Sequence, residues 1–438
     1  MHNSTEKVRW YEKASYGFGG ASCEILVTTT NAYLMLFLTS VMNISVSFVG
    51  TLFLAGQCMD AVTDLLITNF ADRTRSRLGI YRPWVLFSGI PMAILFSLLF
   101  FNPSFLQDDT IRKIWVTIIY FLMVPVFQTA TQCPLIAMNS LMSQDADQRL
   151  RFASARSIGE SGADMLVSAL AMPIVLMFGS SYLDPTGWRI MGILFGGAMV
   201  ICVITSFAGT KERYSIHADS GEKPTLAQKI QLYVHNPAAI KLLLITLFAN
   251  SYWCFGSTMF SYFCICNLGH EDWVASLCIV GVVCQLATTI LIPRIAKRIP
   301  RNLIIALGGA LLILAHLILL VTNTYVMAVV FQVVRYIGLA LVICVTWGLW
   351  PDVCDYTEKI KGFSSPGTMV AFASFAFKIG MGCSSYLISI LLSLGGYQTA
   401  TAVQATSTLT VIRYSFCLVP IILIGITTLI SLRLREVS

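Results

Sequence analysis

The chain has 438 residues, of which 56% are hydrophobic and only 12% are charged, and its mean hydropathy is +0.75. Soluble domains carry about 25% charged residues, so this composition excludes a soluble protein and indicates a chain that lies mostly within a membrane. The net charge of +7 does not indicate nucleic-acid binding, because most of the basic residues lie in the loops on one side of the predicted spans.

Twelve apolar segments are long enough to cross a bilayer, which requires about 20 residues. They lie at 15–39, 45–68, 84–103, 112–140, 152–178, 187–209, 238–266, 273–295, 302–322, 325–351, 367–394 and 407–432. The first follows a polar lead without a small-residue cleavage pattern, so we expect a retained helix. The distribution of Lys and Arg places both termini in the cytoplasm. The sequence therefore predicts a multi-pass protein of the plasma membrane, specifically a bacterial inner membrane.

The longest polar interruption, at 210–237, predicts a cytoplasmic loop between two six-helix halves, 1–209 and 238–438. This is the plan of the all-α major facilitator fold, in which the substrate lies near the middle of the membrane between the halves. A weak repeat supports it, because the loops after the second and eighth spans are both basic. No GxxxxGK[ST] phosphate-binding loop occurs in the chain, so we do not expect ATP to drive transport.

Two carboxylates, Asp60 and Asp64, lie one helical turn apart in the second span. A charged side chain at the centre of a membrane helix costs about 2.5–3.5 kcal/mol on insertion scales, so such residues face the protein interior or a wet cavity. Two carboxylates on one helical face also repel each other unless a cation or a proton lies between them. The pair therefore predicts a cation site.

Charged residues at the cytoplasmic ends of two spans suggest a gate. A basic hairpin follows the second span, and acids end the tenth, where they either gate the pathway or pair with loop arginines. The predicted gating residues are Asp72, Arg73, Arg75, Arg82, Asp352 and Asp355.

Further polar groups lie inside the spans of the first half. Glu24, an isolated acid in the first span, predicts a role in a transport pathway, with an interfacial acid as the alternative. Thr129 and Gln132 share a face of the fourth span and either line a cavity or hydrogen-bond between helices.

Arg156, Glu160 and Asp164 recur every four residues along the fifth span. They form either a closed ion ladder or a stripe that faces the substrate cavity. Guanidinium and carboxylate groups together suit a polyhydroxyl ligand, because each can form paired hydrogen bonds to vicinal hydroxyls.

In the second half, Trp253 either packs in the core or stacks on a sugar ring. Lys378 is a lone ammonium in the eleventh span and requires a counter-ion, for which Asp60 or Asp64 is the natural candidate. The cysteines lie mostly in apolar segments without metal-site spacing. His316, inside the ninth span, has no identifiable catalytic partner, which argues against a membrane-embedded enzyme.

Several motifs together resemble the glycoside–pentoside–hexuronide:cation symporter family over nearly the whole chain. They are SYGFG, MDAVTD followed by DRTRSRLGIYRPW, the Arg149–Arg156 spacing, and DVCDYTE followed by Lys378. The resemblance implies that Asp60 and Asp64 bind the coupling Na⁺, Li⁺ or H⁺, assisted by Thr63 and Thr129. It also implies that Glu24 and Arg156 hold the sugar.

The chain departs from a well-known member of that family at three positions. Thr63 replaces an Asn of the cation site, which makes protons a plausible alternative to Na⁺. Gln132 replaces a sugar-binding Asp and Ile136 replaces a Trp, so the resemblance does not imply a galactoside.

These observations predict a secondary transporter that couples uptake of a sugar or glycoside (a galactoside, pentoside, hexuronide or related compound) to Na⁺ or H⁺. We expect a monomer without a cofactor other than the coupling ion. The predicted substrate-binding residues are Glu24, Gln132, Arg156, Glu160, Asp164, Trp253 and Lys378. The alternative is a lysolipid or amphiphile carrier of the same superfamily. A receptor or channel is disfavoured, because the external loops are short and no pore motif repeats.

Overall fold

A computed structural model of the chain describes residues 8–102, 108–143, 145–214, 236–270, 273–321, 324–361, 366–399 and 404–434. Within these ranges the regular structure is helical, without a β-strand. The described residues include twelve helices that are long and apolar enough to cross a membrane. The predicted all-α fold with twelve spans is confirmed.

Fourteen α-helices and three π-helical turns build these spans in the described part of the chain. The α-helices are α1 Trp10–Thr29, α2 Met35–Ser40, α3 Val46–Arg73, α4 Arg82–Leu99, α5 Asp109–Phe121, α6 Thr129–Met142, α7 Ala146–Phe178, α8 Pro185–Gly209, α9 Pro237–Tyr262, α10 Trp273–Ile295, α11 Arg301–Val321, α12 Tyr325–Lys361, α13 Pro366–Leu394 and α14 Thr406–Leu432. The π turn Thr30–Leu34 joins α1 to α2, and the π turn Leu122–Gln128 joins α5 to α6. A third, Phe263–Leu268, extends α9.

Several helices are longer than the hydropathy pattern predicts. The helix α3 runs to Arg73 and α12 to Lys361, beyond the predicted ends at 68 and 351. Hydropathy detects only the part of a helix in hydrocarbon, whereas the backbone hydrogen bonds continue into charged residues in water. The next helix, α4, begins with Pro83 in its first turn, where the missing N–H costs no intrahelical bond.

Two aspartates cap helices just before the membrane. Asp108 accepts a hydrogen bond from the Thr110 backbone N–H at 2.7 Å, and Asp184 accepts one from that of Thr186 at 2.9 Å. These backbone bonds favour the ionised form, so they lower the pKa of both carboxyl groups below the ordinary value. Each aspartate thereby satisfies a backbone N–H group that has no partner inside the helix.

The chain forms two compact units. The first comprises Met1–Thr30 and Met59–Asp219, and the second comprises Asn31–Cys58 and Ser220–Ser438. Within the second unit, residues of the first two spans are held by hydrogen bonds, such as the 2.9 Å contact between the Thr39 and Tyr262 hydroxyls and the 3.0 Å contact between the Ser47 and Ser393 hydroxyls. The division into halves 1–209 and 238–438 with a loop at 210–237 stays a prediction.

Glycines allow α1 and α7 to pack with their backbones in contact in the first unit. A Cβ atom placed on Gly159 would lie 2.1 Å from the carbonyl oxygen of Gly17. A Cβ atom on Gly17 would lie 2.7 Å from the carbonyl oxygen of Ala155. Small residues at helix crossings permit this close approach in membrane proteins. The contact fixes the spacing between the polar residues further along the two helices.

We expect Gly159→Ala to destabilise the protein by about 1–3 kcal/mol, because the added methyl group cannot fit without separating α1 from α7. Gly162→Ala is the matched control, since a Cβ atom there meets no atom within 4 Å. Thermal unfolding of both variants in detergent measures the difference. Equal unfolding midpoints for the two would contradict the assigned helix contact.

Candidate functional site

The two carboxylates of α3 each face a residue of α6 in the first unit. The buried Asp60 accepts a short hydrogen bond from the Thr129 hydroxyl. One turn further along, the Cys133 thiol lies 3.5 Å from Asp64 Oδ1. Each helix thus contributes two residues that are four positions apart, and the two contacts follow each other in the same chain direction along α3 and α6. The predicted cation-site residues Asp60, Asp64 and Thr129 are therefore brought together, and Cys133 joins them.

The Thr63 hydroxyl has a backbone partner in the structure. It donates to the backbone carbonyl of Asp60 at 3.0 Å. The structure therefore does not direct this hydroxyl to a carboxylate, and its part in ion binding stays a prediction.

The close packing of α1 and α7 assembles a second polar group in the same unit. Arg156 Nη1 lies 2.5 Å from Glu160 Oε1, and each of these side chains is 23% exposed. A Cβ atom on Gly20 would lie 2.7 Å from the Arg156 Cγ atom. This glycine therefore lets the ion pair lie against α1. Of the two alternatives that the sequence leaves open, an ion ladder is present between Arg156 and Glu160.

Thr28 connects the remaining acids of this group. Its hydroxyl oxygen lies 3.2 Å from Glu24 Oε1 and 3.0 Å from Asp164 Oδ1. A hydroxyl has one hydrogen, so it donates fully to one carboxyl group and can otherwise only accept. The arrangement is best satisfied when one of the two acids is protonated and donates to Thr28. Sequence reasoning missed Thr28, although its spacing of four residues from Glu24 is a usable signal.

The other predicted substrate residues are Gln132, Trp253 and Lys378. Gln132 is half-buried on α6, one residue before Cys133. In the second unit, the Trp253 ring stacks on Phe377 with centroids 6.3 Å apart, and the Lys378 side chain is buried. The predicted pairing of Lys378 with Asp60 or Asp64 stays a prediction.

At the predicted cytoplasmic side of the first unit, a glutamate binds the start of α4. Glu212 accepts hydrogen bonds from the backbone N–H groups of Ile80, Tyr81 and Arg82 at 2.6, 2.8 and 2.8 Å. The left-handed Gly79, with φ of 115°, makes room, because a Cβ atom there would lie 2.8 Å from the Glu212 carboxylate. A helix N-terminus favours negative charge. The sequence analysis did not identify Glu212, because nothing local links residue 212 to residue 80.

A neighbouring ion pair holds the same segment, residues 212–214. Arg213 Nη2 lies 2.8 Å from the Glu12 carboxylate, and both side chains are nearly buried. The backbone N–H groups of Arg213 and Tyr214 also donate to the Leu141 carbonyl at 2.9 and 3.0 Å. Residues 212–214 thus connect α1, α4 and α6.

The predicted gating residues differ in their contacts and in their exposure to solvent. Arg82 Nη2 donates to the Phe207 carbonyl at 2.7 Å, whereas Arg75 is exposed. In the second unit, Asp352 forms a short ion pair with Arg301, in agreement with the expected pairing to loop arginines. The side chains of Asp72, Arg73 and Asp355 lie outside the described residues.

We expect Glu212→Gln to loosen the hairpin between α3 and α4, since hydrogen bonds to a charged acceptor contribute about 1.5–3 kcal/mol each. Trypsin should then cleave faster after the exposed Arg75 and Arg77. The control Lys211→Gln changes an exposed neighbour and should leave cleavage unchanged. Unaltered cleavage in Glu212→Gln would show that the capping contacts do not restrain the hairpin.

Comparison with known proteins identifies the family of the chain. The sequence profile of the family described as MFS/sugar transport protein matches residues 15–435. The chain belongs to this family. It is 27% identical over 431 residues to the isoprimeverose transporter of Lactiplantibacillus pentosus, an alignment that covers 96% of this chain and 88% of the relative. It is also 27% identical over 430 residues to the inner membrane symporter YicJ of Escherichia coli (strain K12), with 96% and 91% covered.

Among solved structures, a bacterial homologue of the human lysosomal transporter Spinster, in an inward-facing and unoccupied conformation, superposes with a TM-score of 0.71. The two chains are 13% identical, and the alignment covers 98% of each. This similarity concerns the fold alone and confirms the major facilitator architecture.

The family match and the symporter relatives confirm the family expected from the sequence and a transport function rather than an enzymatic one. They also establish a multi-pass membrane protein, and one relative, YagG of Escherichia coli (strain K12), is described as a putative glycoside/cation symporter. The sugar-transport family does not favour the lysolipid carrier considered as an alternative.

Proposed function

We propose that this protein is a proton-coupled symporter of a neutral glycoside. The observation that carries the proposal is the pair of polar groups in the first unit. One is the carboxylate pair of α3 with Thr129, and the other is the α1–α7 group of Glu24, Arg156 and Asp164. The first suits a coupling cation, and the second suits a polyhydroxyl substrate.

The charge of the α1–α7 group supports a neutral substrate over a hexuronide or a sulfonated sugar. Its arginine is already bound to Glu160 at 2.5 Å, and two further acids, Glu24 and Asp164, lie beside Thr28. An anionic sugar would meet excess negative charge here and would need to displace Glu160 from Arg156. A neutral sugar instead offers hydroxyl groups that both donate to the carboxylates and accept from the guanidinium.

The neighbours of the carboxylates support a proton over Na⁺. Hard cations take oxygen ligands, whereas a thiol lies beside Asp64. The single hydroxyl of Thr28 between two acids is likewise satisfied by one bound proton. Protonation of Asp60 or Asp64 would also remove the repulsion along α3.

The sequence of events follows from this assignment. A proton binds one carboxylate of the Asp60–Asp64 pair and lowers its charge from two negative charges to one. The sugar then binds at Glu24, Arg156 and Gln132, and the protein changes between conformations that open the site to opposite sides of the membrane. Coupling requires that the empty, charged carboxylate pair disfavours this change, because moving an uncompensated charge through the membrane is costly.

Uptake of labelled glycosides, pentosides and hexuronides into energised vesicles, with pH and Na⁺ gradients imposed separately, tests the proposal. We expect one neutral glycoside to accumulate under the pH gradient alone. Accumulation under the Na⁺ gradient alone would assign the α3 pair to Na⁺, and accumulation of a hexuronide alone would contradict the substrate class. Failure of every sugar to accumulate would overturn the proposed function.

A further inference from the structure

A further buried polar cluster lies in the second unit. It is formed by Tyr252 on α9, His316 on α11, and Gln332 and Arg335 on α12. None of these four side chains is more than 1% exposed. The Tyr252 and His316 rings meet edge to face with centroids 5.6 Å apart, and Arg335 Nη1 donates to Gln332 Oε1 at 3.2 Å. The four residues thus converge from three helices.

Apolar rings and a glycine enclose the cluster. His316 packs edge to face against Phe331 and Phe416, with centroids 5.2 and 5.7 Å away. The Arg335 guanidinium lies 6.0 Å from the Phe331 ring. A Cβ atom on Gly256 would lie 2.6 Å from Arg335 Nη2, so the guanidinium lies directly against the α9 backbone. The cluster is therefore enclosed by protein on these sides.

Several polar atoms of the cluster lack a hydrogen-bond partner among the described residues. They are Arg335 Nε, Arg335 Nη2, the Tyr252 hydroxyl, Gln332 Nε2 and His316 Nε2, of which the Tyr252 hydroxyl lies near enough to the Arg335 guanidinium for a weak, poorly aligned contact. His316 Nδ1 lies 2.9 Å from the Leu312 carbonyl and therefore carries the ring proton of the neutral imidazole. The Arg335 nitrogens and Gln332 Nε2 are donors. The Tyr252 hydroxyl accepts from the Arg335 guanidinium through its oxygen and still has a hydrogen to donate.

The charge of Arg335 requires compensation. An unsatisfied buried charge costs more than an unsatisfied neutral group, and buried charges in native proteins are paired or hydrogen-bonded. Among the residues that the structure describes, no carboxylate forms an ion pair with Arg335; its partners there are the neutral Gln332 and Tyr252 side chains. Donors directed together around one positive charge, without an acid, are the arrangement that an anion satisfies.

We propose that Tyr252, Gln332 and Arg335 bind a chloride-sized anion in the core of the second unit. The anion accepts hydrogen bonds from Arg335 Nε and Nη2, from the Tyr252 hydroxyl and from the Gln332 amide. It neutralises the guanidinium and joins α9 to α12. The neutral His316 lies beside this group, with its ring edge to face against that of Tyr252.

Thermal unfolding of the full-length protein in nanodiscs, in sodium chloride and in sodium gluconate of equal ionic strength, tests the proposal. A ligand that binds only the folded state raises its stability, so we expect unfolding in chloride at a temperature about 2–5 °C higher. Arg335→Gln should abolish the difference. Arg189→Gln, which alters an exposed arginine of α8, should retain it.

Tyr252→Phe provides a second variant in case Arg335→Gln does not fold. It removes only the hydroxyl group and should reduce the chloride effect while leaving the packing with His316. Bromide added in place of chloride should give an anomalous density peak next to Arg335 in crystals. Equal unfolding temperatures of the parent protein in chloride and gluconate, an unchanged effect in Tyr252→Phe, or ordered water alone at this position would overturn the proposal.

Discussion

Asp60→Asn is expected to abolish uphill accumulation of the sugar while downhill exchange continues. The substitution removes the titratable group that Thr129 holds in place, so the cation gradient can no longer drive the sugar. One charge moving down 100 mV releases about 2.3 kcal/mol, which corresponds to about 50-fold accumulation. Without coupling, the internal concentration should rise only to the external one. Initial rates and steady-state levels of uptake measure both effects.

Asp109→Asn is the matched control, because this aspartate is 53% exposed and pairs with Lys113 on the surface. It should accumulate the sugar like the parent protein. Normal uphill uptake by Asp60→Asn would exclude this carboxylate as the coupling site. Loss of both accumulation and exchange would instead indicate a structural role, which comparison of the unfolding temperatures would reveal.

Arg156→Gln is expected to weaken sugar binding by about 10- to 100-fold, the effect of losing one or two charge-assisted hydrogen bonds. It also leaves Glu160 without its 2.5 Å partner beside α1, which further raises the negative charge of the group. The Michaelis constant of downhill uptake, or direct binding to the purified protein, measures the change.

Arg189→Gln is the control for this variant. Arg189 is exposed on α8 and contacts the Phe101 ring, so its replacement should leave sugar affinity unchanged. An unaltered Michaelis constant in Arg156→Gln would exclude the α1–α7 group from the substrate site and with it the argument for a neutral sugar.

Much of the fold was predictable because a bilayer imposes strong local constraints. The apolar segments, the polar interruption at 210–237 and the basic loops predicted twelve spans, and the structure has them. The ends of α3 and α12 were predicted less well, because hydropathy does not report helix that continues into water.

The candidate site was predictable along each helix but not between helices. The spacing of four residues between Asp60 and Asp64 is visible in the sequence, whereas the facing pair on α6 depends on the register of two helices. Cys133, four residues after Thr129, was missed for that reason.

Contacts between distant parts of the chain were missed altogether. Glu212 lies more than a hundred residues from the N–H groups that it binds. His316 was noted in the sequence as lacking a partner, and only the packing of α9, α11 and α12 brings it to Tyr252. A single sequence specifies such contacts through the whole fold rather than through any local pattern.

The most direct test of the account is the pH of a lightly buffered suspension of cells that express the protein, recorded while a transported glycoside is added without a Na⁺ gradient. The account predicts that the medium becomes more alkaline as the sugar enters, and that Asp60→Asn cells show no such change. Sugar entry without alkalinisation, and dependent on Na⁺, would contradict proton coupling at the α3 carboxylates.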